Sequence, residues 1–356
     1  STQDDFAYVD ALTTFFDDAG DARAYFVSDY LPGVANGFYL LDEACSADGA
    51  TCVPASTGTA GPLNQSDDSK QTTGRVIVDY KLIDDVMLFA SYSKGYRGGT
   101  YNGLAFQSAA QVYFVEPEVV DVFEAGFKGR FMNDRIQLNA TAFYYDYEGQ
   151  QQQVIDPSST TFLINLDGEM TGMEAELTFV ASENLQFNLG IGILDSEFKN
   201  GNCGNATRTG ALPQDGNCIF TAAGVIDVGG NPFPYAPEQS ANLGMDWDIG
   251  AFASGDLRLH VDTAYSGDYY YDTFGGYRGD AAPLGLGPIK EGSASFWTSN
   301  ARITWENDSL AIAVWGKNLT DETYYPNGIN VEGSYNSTYL VRAAPLTYGA
   351  EVRYNF

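Results

Sequence analysis

Basic residues are scarce in this chain: 18 Lys and Arg stand against 47 Asp and Glu, for a formal net charge of −29. Binding to a nucleic-acid backbone needs clustered Lys and Arg, so that class of partner is excluded. Histidine is scarcer still, with His260 alone among 356 residues. No His-rich metal motif and no Gly-x-Ser-x-Gly elbow occur, and scattered carboxylates are what any acidic surface supplies. No enzyme activity, metal site or cofactor is therefore expected. Long apolar runs are missing too. Nothing approaches the roughly 18 uninterrupted apolar residues of a spanning helix, so a membrane could be crossed only with strands. The chain opens Ser1-Thr2-Gln3-Asp4-Asp5 with no basic n-region or apolar h-region, and is expected to be mature, processed or incomplete.

What is present is alternation. Along 135–144 the residues Ile136, Leu138, Ala140, Ala142 and Tyr144 occupy even positions, against Arg135, Gln137, Asn139 and Thr141. That is the two-residue period of a strand with two unlike faces. Before it, Val119, Phe123, Ala125 and Phe127 alternate with Glu118, Glu124 and Lys128, and Met132-Asn133-Asp134 leaves room only for a tight reversal. Such arms exceed the roughly 5 to 6 residues typical of globular strands and can cross an outer-membrane apolar band at a tilt. The same pattern predicts strands near 74–82, 86–97, 118–131, 135–148, 171–181, 185–199, 237–249, 257–270, 294–306, 309–318 and 345–356. Aromatic content of 14%, with 24 Tyr and 22 Phe, suits interfacial girdles.

Connection lengths carry further information. Short links at 83–85, 132–134, 182–184, 250–256 and 307–308 alternate with long ones at 98–117, 149–170, 200–236, 271–293 and 319–344. A soluble acidic β-sandwich has no reason to segregate loop length by end. An all-β, antiparallel transmembrane barrel does, with short periplasmic turns and long extracellular loops. Residues 1–73 are less regular. Phe6, Val9, Leu12, Phe15 and Phe16 sit at near-helical spacing and suggest a short amphipathic helix over 5–17, Phe38–Leu41 a short strand, and 46–69 a loop. Four cysteines allow three pairings. The local ones, Cys45 with Cys52 and Cys203 with Cys218, are expected as loop disulfides in an oxidising compartment, since zinc would need ligands that a chain with one His does not offer.

Several segments resemble the barrel of TonB-dependent outer-membrane receptors. They are Leu88 to Gly99 with Tyr101-Asn102, Glu116-Pro117-Glu118, Phe123 to Lys128, Tyr144-Tyr145-Asp146-Tyr147, Gly172 to Glu176, Ala236-Pro237-Glu238, Gly316 to Tyr324 and a terminal Phe356. The resemblance runs from about residue 74 to the end. It implies the outer membrane of a Gram-negative bacterium, contact with lipid and lipopolysaccharide, and the C-terminal part of a barrel of about 22 strands. It also implies capture of a scarce nutrient, of siderophore or carbohydrate type, for uptake energised by the TonB complex through a plug domain, which this sequence does not contain. A passive porin and a surface-binding barrel are the alternatives.

Ligand contacts are expected from the long loops. Tyr269, Tyr270, Tyr271, Tyr277 and Arg278 offer ring faces beside a charge, and Tyr96, Arg97, Tyr101, Asn102, Tyr324, Tyr325 and Asn327 offer more. Such rings with Asn and Asp suit a carbohydrate and an aromatic siderophore equally. Gln150 to Gln153 read as a solvated loop edge, and calcium binding by acidic loops is left open. Counting back from a periplasmic C-terminus puts residues 1–73 outside the cell. Eleven strands leave two edges, so the remaining strands are expected on missing or separate polypeptide; the rival is a closed barrel with a twelfth strand near Phe38.

Overall fold

Strands that alternate apolar with polar residues are built to separate two solvents, and the computed structural model of the chain arranges them into one wall. The structure describes residues 69–102, 113–155, 161–207, 212, 214–221, 224–274, 292–330 and 338–355, together with the backbone of short strands within residues 2–68. The wall strands are β1 (Gly74–Ile83), β2 (Val86–Arg97), β3 (Glu118–Phe131), β4 (Ile136–Ile155), β5 (Thr161–Ser182) and β6 (Leu185–Phe198). They continue with β7 (Gln239–Phe252), β8 (Gly255–Ser266), β9 (Phe296–Glu306), β10 (Leu310–Lys317) and β11 (Thr347–Tyr354). These eleven form a single antiparallel sheet in chain order, with β1 at one end and β11 at the other. All eleven expected strands are present.

Register carries the two-residue period across the whole sheet, because directly opposed residues share a face. Leu138, Leu177, Leu189 and Leu243 are successive cross-strand partners, as are Leu259, Ile303, Val314 and Ala350. This face is not packed into a protein core: Ile191 is 48% and Val352 68% exposed, an exposure that in a bilayer is to lipid. The opposite face is polar. Gln137, Thr178 and Asn188 are opposed across β4, β5 and β6, and Arg258 pairs with Asp248 at 3.0 Å and Glu306 at 2.7 Å. Arg302 meets Glu351 at 2.8 Å and Arg353 reaches Glu306 at 3.9 Å. These pairs are solvent-exposed and add little stability each; what they do is give Arg258, Arg302 and Arg353 a carboxylate on the lumen face.

The short turns need backbone that L-residues rarely adopt. Met132, Asn133 and Asp134 have φ of 56, 55 and 64°, and Ala253 and Ser254 of 48 and 63°. Two successive positive φ values match the right-handed twist of the flanking strands. The sequence reading allows 250–256 as the link, but β7 and β8 close it to these two residues, with a bulge at Asp248 and Gly250.

Four expectations are corrected. The helix expected over 5–17 gives way to strand at its described residues: Thr2–Val9 pairs with Leu63–Lys70 and Thr14–Phe16 with Ala22–Ala24, ladders overriding a helical spacing of apolar residues. The first of these also places a strand inside the supposed loop 46–69. The strand at Phe38–Leu40 pairs with Glu43–Cys45 and not with the wall, so it supplies no twelfth strand; β11 is hydrogen-bonded only to β10 among the described residues. Finally, 149–170 is mostly strand. β4 and β5 run to 20 and 22 residues, and the Gln tract belongs to them: Gln151 is 9% exposed and its amide donates to Gly98 O at 2.9 Å and Glu116 O at 3.0 Å. A polar tract hid the strand because its hydrogen bonds go to neighbouring loops instead of to water. Phe356 lies outside the described residues.

Candidate functional site

Above the membrane the β4–β5 hairpin changes character. A bulge between Tyr147 and Gln150 shifts its register, with Gly149 at φ 64°. The shift turns Gln150 and Gln152 onto the lumen-facing side opposite Leu166 and Ile164; these two and Phe162 are at most 6% exposed. The loop 199–238 folds inward over them. Phe198, Ile219, Val228 and Phe233, with Phe274 from the next loop, complete a core with the hairpin. Phe233 seats on Gly168, where a Cβ would stand 2.5 Å from the ring; no larger residue leaves the loop that approach.

Two amides hold the loop to the hairpin. Asn217, 3% exposed, accepts from Asp167 N at 2.8 Å and donates to Asp167 O at 2.7 Å. Gln214 accepts from Asn165 N at 2.7 Å and donates back to Asn165 O. Each side chain thus satisfies a residue of β5 as a paired strand would. From the other side Tyr113 donates to Leu163 O at 2.6 Å, and burial pushes its hydroxyl well above the usual phenol range, which keeps it a donor. A disulfide joins Cys203 to Cys218, with Cα atoms 5.5 Å apart. Cys45 and Cys52 oppose each other in a ladder of Glu43–Cys45 with Cys52–Pro54, but their side chains lie outside the described residues. Non-reducing peptide mapping should recover both links, Cys203 to Cys218 and Cys45 to Cys52; exchange to any other pairing would contradict the second.

Beneath the loop core, on the lumen face, is a cavity of about 390 Å³. Phe143, Glu174 and Ser240 line it from the wall, Gln150 and Gln152 from the hairpin, and Phe233 to Pro237 from the loop. Gln150 Oε1 is buried and has no hydrogen-bond donor among the described residues. Rings run toward the cavity along one face: Phe143 to Tyr145 at 5.3 Å, Tyr145 to Tyr147 at 6.3 Å, Tyr147 to Phe233 at 5.8 Å.

Tyr235 joins the cavity to a tyrosine cluster. Its ring centroid lies 5.9 Å from Tyr269 and 6.0 Å from Tyr271. Its φ is 58°, a conformation that costs a non-glycine residue about 1 to 2 kcal/mol and clusters at functional positions. Its N–H donates to Tyr270 O at 2.9 Å. The hydroxyls reach the last long loop: Tyr235 to Asn327 Oδ1 at 2.8 Å, Tyr269 to Pro326 O at 3.3 Å, Tyr271 to Tyr325 O at 2.5 Å. Burial pushes Tyr271 up to about 12, so it stays protonated.

Of the residues expected at the site, Tyr269, Tyr271, Tyr325 and Asn327 come together here. Tyr270 contributes its backbone, and Tyr324 stacks on Phe296 at 4.0 Å and 13°. Tyr101 and Asn102 are buried at 8% and 1%, Tyr101 against Phe114 at 5.4 Å. Tyr96 and Arg97 stand at another part of the rim, opposite Val119 and Glu118. Tyr277 and Arg278 lie outside the described residues. Sequence reasoning missed Tyr235, Phe233, Glu174 and the glutamines. Asn-Pro-Phe-Pro-Tyr-Ala-Pro at 231–237 was the available signal, because closely spaced prolines hold the rings between them in fixed directions.

Comparison with known proteins agrees with this architecture. The family model described as TonB dependent receptor-like, beta-barrel, matches residues 50–319. A probable TonB-dependent siderophore receptor, PiuA of Acinetobacter baumannii, is 24% identical over 220 residues, covering 61% of this chain and 27% of that protein. The ferric yersiniabactin uptake receptor FyuA of Yersinia pestis superposes with a TM-score of 0.63 at 18% identity, over 88% of this chain and 40% of that one. The copper transporter OprC superposes with a TM-score of 0.56 at 13% identity, over 90% and 44%. The chain spans less than half the length of each of these proteins.

Proposed function

Because the chain belongs to the TonB-dependent receptor-like β-barrel family and its wall stands in the outer membrane of a Gram-negative bacterium, we propose that it captures a scarce nutrient of siderophore or carbohydrate type for TonB-energised uptake. The observation that carries this reading is the lumen-facing cavity roofed by Phe233 to Pro237 and joined through Tyr235 to the tyrosine cluster. A porin keeps a water-filled channel through its lumen. Here the loop 199–238 folds inward onto the lumen face and buries Phe198 completely, which favours a receptor that binds before it admits.

In this reading Tyr235, Tyr269 and Tyr271 present ring faces to the ligand, with Asn327, Tyr325 and the outlying Tyr96, Arg97, Tyr277 and Arg278 as further contacts. Residues 1–73 belong to the extracellular side. The end strands β1 and β11 pair with the remaining strands of the receptor wall, since each open backbone group in lipid costs several kcal/mol. Energy comes from the TonB complex through a plug domain of the receptor. Two measurements test this. Deleting the energising partner in cells should abolish uptake, and Tyr235→Ala should weaken ligand binding about tenfold by removing a ring face. Uptake that persists at full rate without the partner would establish the porin alternative.

A further inference from the structure

Among the described residues, the cavity described above is lined by one carboxylate, Glu174, and by no Lys or Arg. Its walls are otherwise ring faces, Phe143, Phe233 and Tyr235, aliphatic groups such as Met170, Ile193 and Leu194, and the neutral amides and hydroxyl of Gln150, Gln152 and Ser240. From this we infer that the ligand of this site is uncharged or cationic, and that the site rejects polyanionic metal chelates. The inference rests on the uptake reading of the same cavity.

Three physical effects point the same way. A cleft with low-dielectric walls and one sign of charge focuses that charge's field on whatever enters, so Glu174 repels an anion more strongly here than on an open surface. Aromatic faces carry negative quadrupole density and attract cations. The orphaned acceptor Gln150 Oε1 seeks an N–H or O–H donor, which a carboxylate or catecholate does not supply. Among the described residues the neighbouring cations are already matched to carboxylates: Lys199 meets Asp146 at 2.5 Å, and the lumen-facing Arg97, at another part of the rim, stands opposite Glu118 on β2 and β3, outside the strands that line the cavity. On the wall below, Arg75 approaches Glu124 at 3.6 Å, and the next lumen-facing residue of β5 is Glu176.

The test uses the full-length receptor in detergent and two iron chelates of similar size. One is a ferric tris-hydroxamate, in which the ligands neutralise the metal; the other is a ferric tris-catecholate, which keeps a multiple negative charge. Binding is followed by quenching of aromatic fluorescence. The neutral chelate should bind about tenfold tighter at low salt, Glu174→Gln should narrow the preference, and added salt should narrow it for the unmodified receptor. Equal or tighter binding of the anion, unchanged by Glu174→Gln and by salt, overturns the inference and leaves the uptake reading standing. If neither chelate binds and a panel of neutral oligosaccharides also fails, the uptake reading itself falls, and this inference with it.

Discussion

Replacing Phe198 by alanine should loosen the extracellular loops by about 3 to 5 kcal/mol while leaving the membrane wall folded. Phe198 is completely buried, and its ring centroid lies 4.8 Å from that of Phe233. It stands at the last position of β6, directly opposite Gly168 of β5, at the point where the wall ends and the loop core begins. Removing the ring takes away the partner that holds Phe233 down, and with it the roof of the cavity. Limited proteolysis should then cut the 199–238 segment much faster, while electrophoretic mobility of the unheated, folded barrel stays unchanged. Loss of the folded band would show instead that loop core and wall form one cooperative unit. Unaltered proteolysis would mean that Asn217, Gln214 and the Cys203–Cys218 link hold the loop without the core.

Arginine at Leu189 should cost about 2 to 4 kcal/mol near the bilayer midplane, and at Leu259 a similar amount that shrinks toward either rim. Leu189 stands between Leu177 and Leu243 on the outward face, with nothing on its lipid side to solvate a guanidinium. The adjacent Asn188 is the control. Its side chain lies on the lumen face, accepting from Thr178 Oγ1 and Gln186 Nε2 at 3.2 Å each, so Asn188→Arg should cost far less at the same depth. Urea unfolding of the receptor refolded into lipid vesicles compares the two. Equal penalties at 188 and 189 would show that this wall does not divide lipid from lumen, and the face assignment would fall with it.

The face assignment is the part of this protein that residues alone determine. Lipid on one side and water on the other force a two-residue period onto each strand, so Leu185-Gln186-Phe187-Asn188-Leu189 declares its two faces without reference to any neighbour. The alternation of short and long links then fixes which end is which. Local reading fails where the chain leaves the bilayer, because no second solvent imposes a period there. The Gln150 to Gln153 tract becomes strand by pairing with residues 163–166, its Gln151 side chain held at Gly98 and Glu116, and the apolar spacing of residues 5–17 yields to ladders with residues 22–24 and 63–70. The site belongs to that same region. Tyr235 approaches Tyr269 and Asn327 across 34 and 92 residues of sequence; only folding the loops inward brings them together, and a strand pattern that repeats every two residues carries no record of contacts so distant.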